Sequence, residues 1–394
     1  IYFNLHMKKK IVILGSTGSI GKTTINILKQ DKNNVEILLL TANKNYKELI
    51  KQVKFFKVKN IIITNKDKFI IIKKILKNRN INIYNNFNSL NKILKKRNTD
   101  YTINAITGLS GLEPTLKIIK FTKKIAIANK EAIICGWPLI LNELKKYKTD
   151  FIPVDSEHFS IWSLINKTKS KNIEKIYITA SGGPFNNYPL NLFKSITQKN
   201  ALKHPSWKMG KKISIDSATM MNKVFEIIEA KKIFNINYKK LSILVHPKSY
   251  VHAIVKFRNG LTKVLIHDTN MTIPIFNSLY ENFEKKIKSN EIDLFKLNNL
   301  NFKKVDKKRF PALRILDNLQ ENHSLFETII VTSNDKLVNM FLDKKIKFTD
   351  ISKAMLKIIK NKEFLKYKKI MPKSIDQITQ LSHYVSLKIN TLRI

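Results

Sequence analysis

At 394 residues the chain is too long for one small core and calls for two or three domains, with 43% hydrophobic and 9% aromatic content ample for globular folding. No run approaches the ~20 apolar residues of a membrane-spanning helix, and the single cysteine, Cys135, excludes an internal disulfide or multi-cysteine zinc site and fits a reducing compartment. The 73 Lys and Arg against 29 Asp and Glu leave a formal charge of +44, which raises a nucleic-acid reading; against it, Lys, Ile and Asn are spread through every segment, as AT-rich codons produce, whereas a nucleic-acid binder concentrates charge on one face.

Six residues, IYFNLH, precede Met7. Met7 reads as the natural start and the six as an upstream remnant, too short for a signal or transit peptide. Short apolar runs then recur at 11–15 (IVILG), 35–40, 60–64, 101–106 and 124–129, separated by polar stretches of helical spacing. This is the βαβ rhythm of a doubly wound parallel sheet, an α/β Rossmann-like domain over 1–150. Between the first strand and first helix, GSTGSIG spaces Gly15, Gly18 and Gly21 three apart. That spacing lets the backbone turn sharply and approach a pyrophosphate at the helix N-terminus; the competing reading is a tight turn with no ligand. GKTT resembles the end of an ATPase phosphate loop, but the first glycine that loop needs ahead of Gly21 is absent from its place. After the second strand the chain reads LLLTANKN, with no carboxylate for a ribose 2′-hydroxyl. Lys44 suits a 2′-phosphate instead, favouring NADP over NAD.

From 151 to 285 the pattern becomes mixed α/β, and most glycines, prolines and histidines of the rest of the chain gather there. PVDSEH packs Asp155, Ser156, Glu157 and His158 together. A hydrolase-like Ser/His/Asp cluster, a metal site and a polar loop all fit it, although the G-x-S-x-G elbow of many hydrolases is absent. A Lys/Asn-rich linker at 286–310 leads to 311–394, helical in period, which reads as a cap packed on the other domains.

Four further segments combine rare residues: ANKEA (128–132), ASGGPF (180–185), HPSWKMGKKISIDSATMMNKVFEIIEA (204–230) and HPKSYVHAIV (246–255). With GSTGSIG and PVDSEH they resemble, in order and over about residues 8 to 390, the 1-deoxy-D-xylulose 5-phosphate reductoisomerase family. The resemblance implies rearrangement of that ketose phosphate and its reduction by NADPH to 2-C-methyl-D-erythritol 4-phosphate, an isoprenoid precursor. Moving a carbon skeleton between adjacent oxygens calls for a hard divalent cation held by carboxylates. The resemblance makes Asp155, Glu157 and Glu226 the ligands of Mg2+ or Mn2+, with Co2+ admissible. Asp155 and Glu157 point the same way if PVDSE continues a strand into its loop. Lys130 reaches the reacting oxygens and joins the three acids as catalytic.

By the same resemblance Ser156 touches substrate, as do Glu157 and Glu226; His158 reads as a residue that supports the ligands or the structure, with direct ligation the alternative. Ser181, Ser217, Asn222 and Lys223 hold the phosphate. His204 contacts substrate on a mobile flap, Trp207 covers it, and Gly210 lies by the nicotinamide. Thr17, Gly18, Ser19, Ile20, Asn43, Lys44, Asn45, Asn129 and Glu131 line the rest of the cofactor.

The chain departs from the family pattern at Asn43 and Val224, both glycine in the family, and at Lys208 and Lys248. The segment NMTIPI (270–275) lacks an expected acid and arginine. These departures bear on cofactor affinity and efficiency more than on reaction type. A homodimer formed through the central domain is implied, with no specific nucleic acid or membrane partner, in bacterial cytoplasm or, for a eukaryotic host, plastid stroma. The alternative enzyme is an NADP-dependent dehydrogenase of the same fold without the isomerase step, and the remote one a basic nucleic-acid-binding protein.

Overall fold

The structure, a computed structural model, describes residues 7–77, 79–165, 168–207, 209–280 and 285–391; the leading IYFNLH and Lys208 lie outside the described residues. The chain divides into two compact units. The first takes Ile1–Ala132, Leu139–Asp155 and Met271–Ile287; the second takes Ile133–Pro138, Ser156–Asn270 and Lys288–Ile394.

In the first unit seven strands, β1 (Lys9–Leu14), β2 (Val35–Ala42), β3 (Asn60–Ile63), β4 (Asn82–Tyr84), β5 (Thr99–Asn104), β6 (Thr122–Ile127) and β7 (Asp150–Pro153), form one sheet in the order β4-β3-β2-β1-β5-β6-β7. Every pairing is parallel. Sheets of this kind are covered on both faces, so their strands read as unbroken apolar runs. Ile11, Ile13, Ile61 and Ile103 are accordingly buried in one core with Leu28, Leu49 and Ile72 of the covering helices. The strand order reverses at β1, so the crevice beyond the carboxyl ends of β1 and β5 is the switch point where such sheets bind ligands. Asparagine, abundant here, caps the helices that follow the strands: Asn45 accepts from the Glu48 amide, Asn65 from Lys68 and Asn129 from Ala132.

The second unit holds a five-stranded sheet, β8 (Ile173–Ala180), β9 (Leu241–Val245), β10 (Val251–Phe257), β11 (Thr262–Ile266) and β12 (Lys303–Lys304), in the order β11-β10-β8-β9-β12. Only β8 and β9 pair in parallel. Ile176 and Ile178 of β8 and Val255 of β10 pack on Ile161 and Ile227 from two helices, Ser156–Ile165 and Met221–Phe234. The end of this unit is helical, with Phe326–Leu342, Phe348–Ile358 and Ile375–Thr391 the longest helices.

One local expectation is overturned. PVDSE does not continue as a strand: β7 stops at Pro153 and a helix starts at Ser156, with Glu157 in its first turn. A carboxylate there complements the positive end of the helix. Among the described residues, no helix is long and apolar enough to cross a membrane.

Candidate functional site

In the first unit β1 delivers the chain to Gly15, whose φ of 77° is left-handed. A Cβ there would lie 2.9 Å from the Ala105 carbonyl oxygen, so the turn after β1 needs glycine twice over. Gly18 caps the Ser19–Gln30 helix, and no side chain closes that helix end. Gly18 and Ser19 are exposed, and Thr17 and Ile20 half-buried. Beyond β2, Asn43 donates to the Thr64 hydroxyl at 2.8 Å, while Lys44 and Asn45 stand exposed. Asn129 is buried, and its side chain is committed to backbone: its amide donates to the carbonyls of Gly108, at 2.6 Å, and Ile106, besides capping its own helix. Glu131 follows in the first turn of that helix, and buried Lys130 pairs with Asp155 at the end of this unit.

The next residue, Ser156, belongs to the second unit. Ser156 donates to Glu157 at 2.6 Å. The Lys223 ammonium lies between two acids, 2.7 Å from Glu157 and 2.6 Å from Glu226, and Asn222 donates to the other Glu226 oxygen. Glu226 and Lys223 are buried. Burial alone would push Lys223 down, but the charges and hydrogen bonds of Glu157 and Glu226 outweigh it and the net shift is upward. His158, fully buried, donates from Nε2 to the Glu226 carbonyl at 2.9 Å, and its Nδ1 lies 3.4 Å from Glu229.

A single residue, Ser156, separates Asp155 from Glu157, and among the described residues Asp155, Glu157 and Glu226 form one group whose ligand oxygens all lie within 4.8 Å of one another. Three carboxylates without sulfur or imidazole make a hard donor set, suited to Mg2+ or Mn2+ rather than zinc. Lys130 and Lys223 already draw positive charge against these acids, so the residues present fit a divalent cation.

Around Ser181 the hydrogen bonds set proton positions. His204 Nδ1 accepts from the amides of Ser206 and Trp207 at 3.2 and 2.9 Å, which leaves its proton on Nε2, 3.1 Å from Ser181 Oγ. Burial, and after it the charge of Lys223, push His204 down to about 4, so it is neutral near pH 7. Ser181 Oγ also accepts from the Gly183 amide at 3.0 Å. Holding two incoming donors, this hydroxyl keeps its own hydrogen for an anion. Gly183 has a φ of 61°, and a Cβ on it would sit 2.8 Å from the Ser217 carbonyl oxygen, so this glycine lets the Ser181 loop lie against the Lys211–Thr219 helix that carries Ser217. Gly210 caps that helix and is exposed. Trp207 is half-buried, its ring edge-on to His252 with centroids 6.1 Å apart.

Val224, where the family has glycine, is buried inside an unbroken Met221–Phe234 helix, so it does not interrupt the helix start. Lys248 lies over the Phe295 ring at 4.2 Å.

Sequence reading assigned no role to Asp216 or Met220. Buried Asp216 accepts from Asn334 at 2.7 Å and pairs with Lys212 at 2.8 Å. Met220, left-handed at φ 64°, turns the chain from the helix of Ser217 to that of Asn222, Lys223 and Glu226. Both stand inside IDSATMMNK, and the acid beside Ser217 was the available signal.

Three family models match the chain: 1-deoxy-D-xylulose 5-phosphate reductoisomerase over residues 11–136, the C-terminal domain of that enzyme over 151–234, and the DXP reductoisomerase C-terminal domain over 267–386. The chain is 64% identical over 387 residues to the 1-deoxy-D-xylulose 5-phosphate reductoisomerase of Pelagibacter ubique (strain HTCC1062), covering 98% of this chain and 100% of that one. It is 36% identical to the enzyme of the same name from Sulfurihydrogenibium sp. (strain YO3AOP1), covering 97% and 96%. Among solved structures it resembles the Zymomonas mobilis enzyme in complex with NADPH, at 31% identity and a TM-score of 0.87 over 97% of this chain and 98% of that one. It also resembles a DOX-P reductoisomerase in complex with NADPH, fosmidomycin and magnesium, at 28% identity and a TM-score of 0.88 over 97% of each chain.

Proposed function

The chain belongs to the 1-deoxy-D-xylulose 5-phosphate reductoisomerase family, and from that premise we propose how its residues divide the reaction. It rearranges 1-deoxy-D-xylulose 5-phosphate and reduces the product to 2-C-methyl-D-erythritol 4-phosphate, a step of non-mevalonate isoprenoid synthesis, with NADPH and magnesium as cofactors. When bound, the cation supplies a Lewis acid and NADPH a hydride.

Asp155, Glu157 and Glu226 hold the cation. The observation that carries this assignment is the buried clasp of Lys223 between Glu157 and Glu226 within the three-carboxylate group. Lys130, paired with Asp155, presents an ammonium to the reacting oxygens, and Ser156 fixes Glu157 while touching substrate. Ser181, Ser217, Asn222 and Lys223 bind the phosphate, Ser181 as a donor whose direction His204 sets. The loop of His204 and Trp207 closes over the substrate and excludes water. The open helix end at Thr17, Gly18, Ser19 and Ile20 takes the pyrophosphate. Asn43, Lys44 and Asn45 take the adenosine end, and Asn129, Glu131 and Gly210 the nicotinamide end. Asn129 acts there by shaping backbone, since its side chain is already engaged.

In functional terms residues 1–150 serve NADPH, 151–285 carry metal, substrate and flap, 286–310 link, and 311–394 form a helical domain. A homodimer through the central domain, in the cytoplasm of a bacterial host, completes the reading.

The test is NADPH oxidation, followed by absorbance, with the substrate and with or without Mg2+ or Mn2+. Metal-dependent oxidation giving the branched product is expected; equal rates after metal removal would identify a simple dehydrogenase. Glu226→Gln should lower kcat by roughly 10²–10³-fold or more, as loss of a main charge-stabilising group does, while NADPH binding measured by fluorescence stays nearly unchanged. Equal loss of both would remove Glu226 from the metal set.

A further inference from the structure

Two histidines of the second unit have no part in the assignments above. His252 stands at the start of β10 and His267 directly after β11. Their rings are stacked, with centroids 3.7 Å apart and planes 13° from parallel, and both are buried. The pairing of β10 with β11 slips at this point, from Val251↔Ile266 to Ala253↔Leu265, which makes His252 the extra residue of a β-bulge. Bulges re-aim a side chain and gather beside active sites. Here the re-aimed ring meets the edge of Trp207.

We propose that His267 is a positioning residue: stacked beneath His252, it holds the imidazole against which Trp207 rests when the loop closes on the sugar phosphate. His267 grips His252 twice, because its carbonyl also accepts from His252 Nε2 at 3.1 Å. His267 is itself fixed through Nδ1, which donates to the Asp268 carbonyl at 2.7 Å, and its amide donates to the Tyr250 carbonyl at 3.3 Å. Its Nε2 is then a buried acceptor with no hydrogen-bond partner among the described residues. Among the described residues no contact of the ring beyond that of Nδ1 uses nitrogen, so the face of the ring is what the site uses. The pair also lies within electrostatic reach of the Glu157 carboxylate, which opposes the loss of basicity that burial imposes on both rings. A single imidazole on a bulge could turn; a second ring stacked at contact distance stops it.

The proposal rests on the assignment of Trp207 to the loop over the substrate, and the test separates the two. Steady-state kinetics with 1-deoxy-D-xylulose 5-phosphate, NADPH and Mg2+ are measured for the full chain and for His267→Ala, His267→Phe, Trp207→Ala and the His267→Ala/Trp207→Ala double variant. His267→Ala should raise KM for the sugar phosphate roughly three- to tenfold, the contribution of one ring pair. KM for NADPH should stay within about twofold, as expected when only capture of the sugar phosphate is disturbed. His267→Phe keeps the stack and discards both ring nitrogens, the Nδ1 donor to the Asp268 carbonyl included, so it should restore most of the original KM, to within about twofold. In the Trp207→Ala background His267→Ala should add nothing.

A full additional effect there, equal rises in both KM values, or a phenylalanine as harmful as alanine would each overturn the inference. Raised KM in Trp207→Ala beside a silent His267→Ala removes this inference alone; unchanged KM in Trp207→Ala removes the loop assignment and this inference with it. Should His267→Ala fail to fold, His267→Leu against His267→Phe makes the same comparison, and equal KM values for those two would be decisive against stacking.

Discussion

An ammonium stripped of water is held in place only by the acids around it, and Lys223 has two, Glu157 and Glu226. Their attraction exceeds the effect of burial, so this lysine stays charged wherever the acids are ionised. The contact with Glu157 spans 66 positions of sequence. No spacing rule could have exposed it, whereas each participant was legible as part of a dense motif. Lys44 is the opposite case: exposed, with its role resting on charge and position after β2. Lys44→Ala should raise KM for NADPH about tenfold, as loss of one phosphate-directed charge does, and change KM for NADH little. Measuring KM for both nucleotides decides it, and equal effects would reject the 2′-phosphate contact.

At the scale of elements, the parallel strands were readable because burial on both faces turns them into unbroken apolar runs, as at Ile11–Leu14 and Ile61–Ile63. Strand β4 escapes the sequence pattern, and β7 shows only as the strand leading into PVDSE, because Asn82 and Asp150 open them and each is too short to show a period. Asp155 and Ser156 before an apolar run were a helix-start signal. The strand reading of PVDSE passes over that signal, so the direction it gives Glu157 does not hold: this acid enters from the first turn of a helix. The Lys211–Thr219 helix illustrates a dependence that sequence cannot show: Asp216 is braced by Asn334, 118 positions away on the Phe326–Leu342 helix. Asn334→Leu would leave a buried carboxylate short of a donor and should cost about 2 kcal/mol, read as a lower urea midpoint. Because Ser217 sits on the braced helix, KM for the sugar phosphate should rise more than KM for NADPH. Identical shifts in the two would make Asn334 a stability residue only.

Across the whole molecule the charge of +44 is carried by lysines in strands, helices and loops alike. Three buried or half-buried histidines respond to their surroundings in the same direction. His204 and His323 are pushed down to about 4 and His252 to about 3, in each case first by burial and then by neighbouring positive charge, that of His267 for His252. At His323 the reason is visible: Lys232 donates to its Nδ1 at 3.0 Å, and Lys232 also pairs with Glu327 at 3.2 Å. Protonating Nδ1 would set one donor against another and break the tie between the Met221–Phe234 helix and Glu327 of the Phe326–Leu342 helix.

Between the unfolded histidine value of 6.5 and these folded values the native protein binds fewer protons than the unfolded chain. Stability is therefore complete above about pH 6.5 and falls as pH drops, flattening below about 4 for His204 and His323 and below about 3 for His252. Asp31 and Asp100, lowered from 3.8, act only in a more acidic window. Urea midpoints measured at about pH 7.5, 6 and 5 should fall steadily, since histidine linkage operates over that span. His323→Phe should start lower at neutral pH, having lost a partner for Lys232, yet lose less on acidification. The difference should be of the order of 1 kcal/mol once solvent screening of a half-buried ring is allowed for. A variant that loses stability as steeply as the original protein would show that the acid response lies elsewhere.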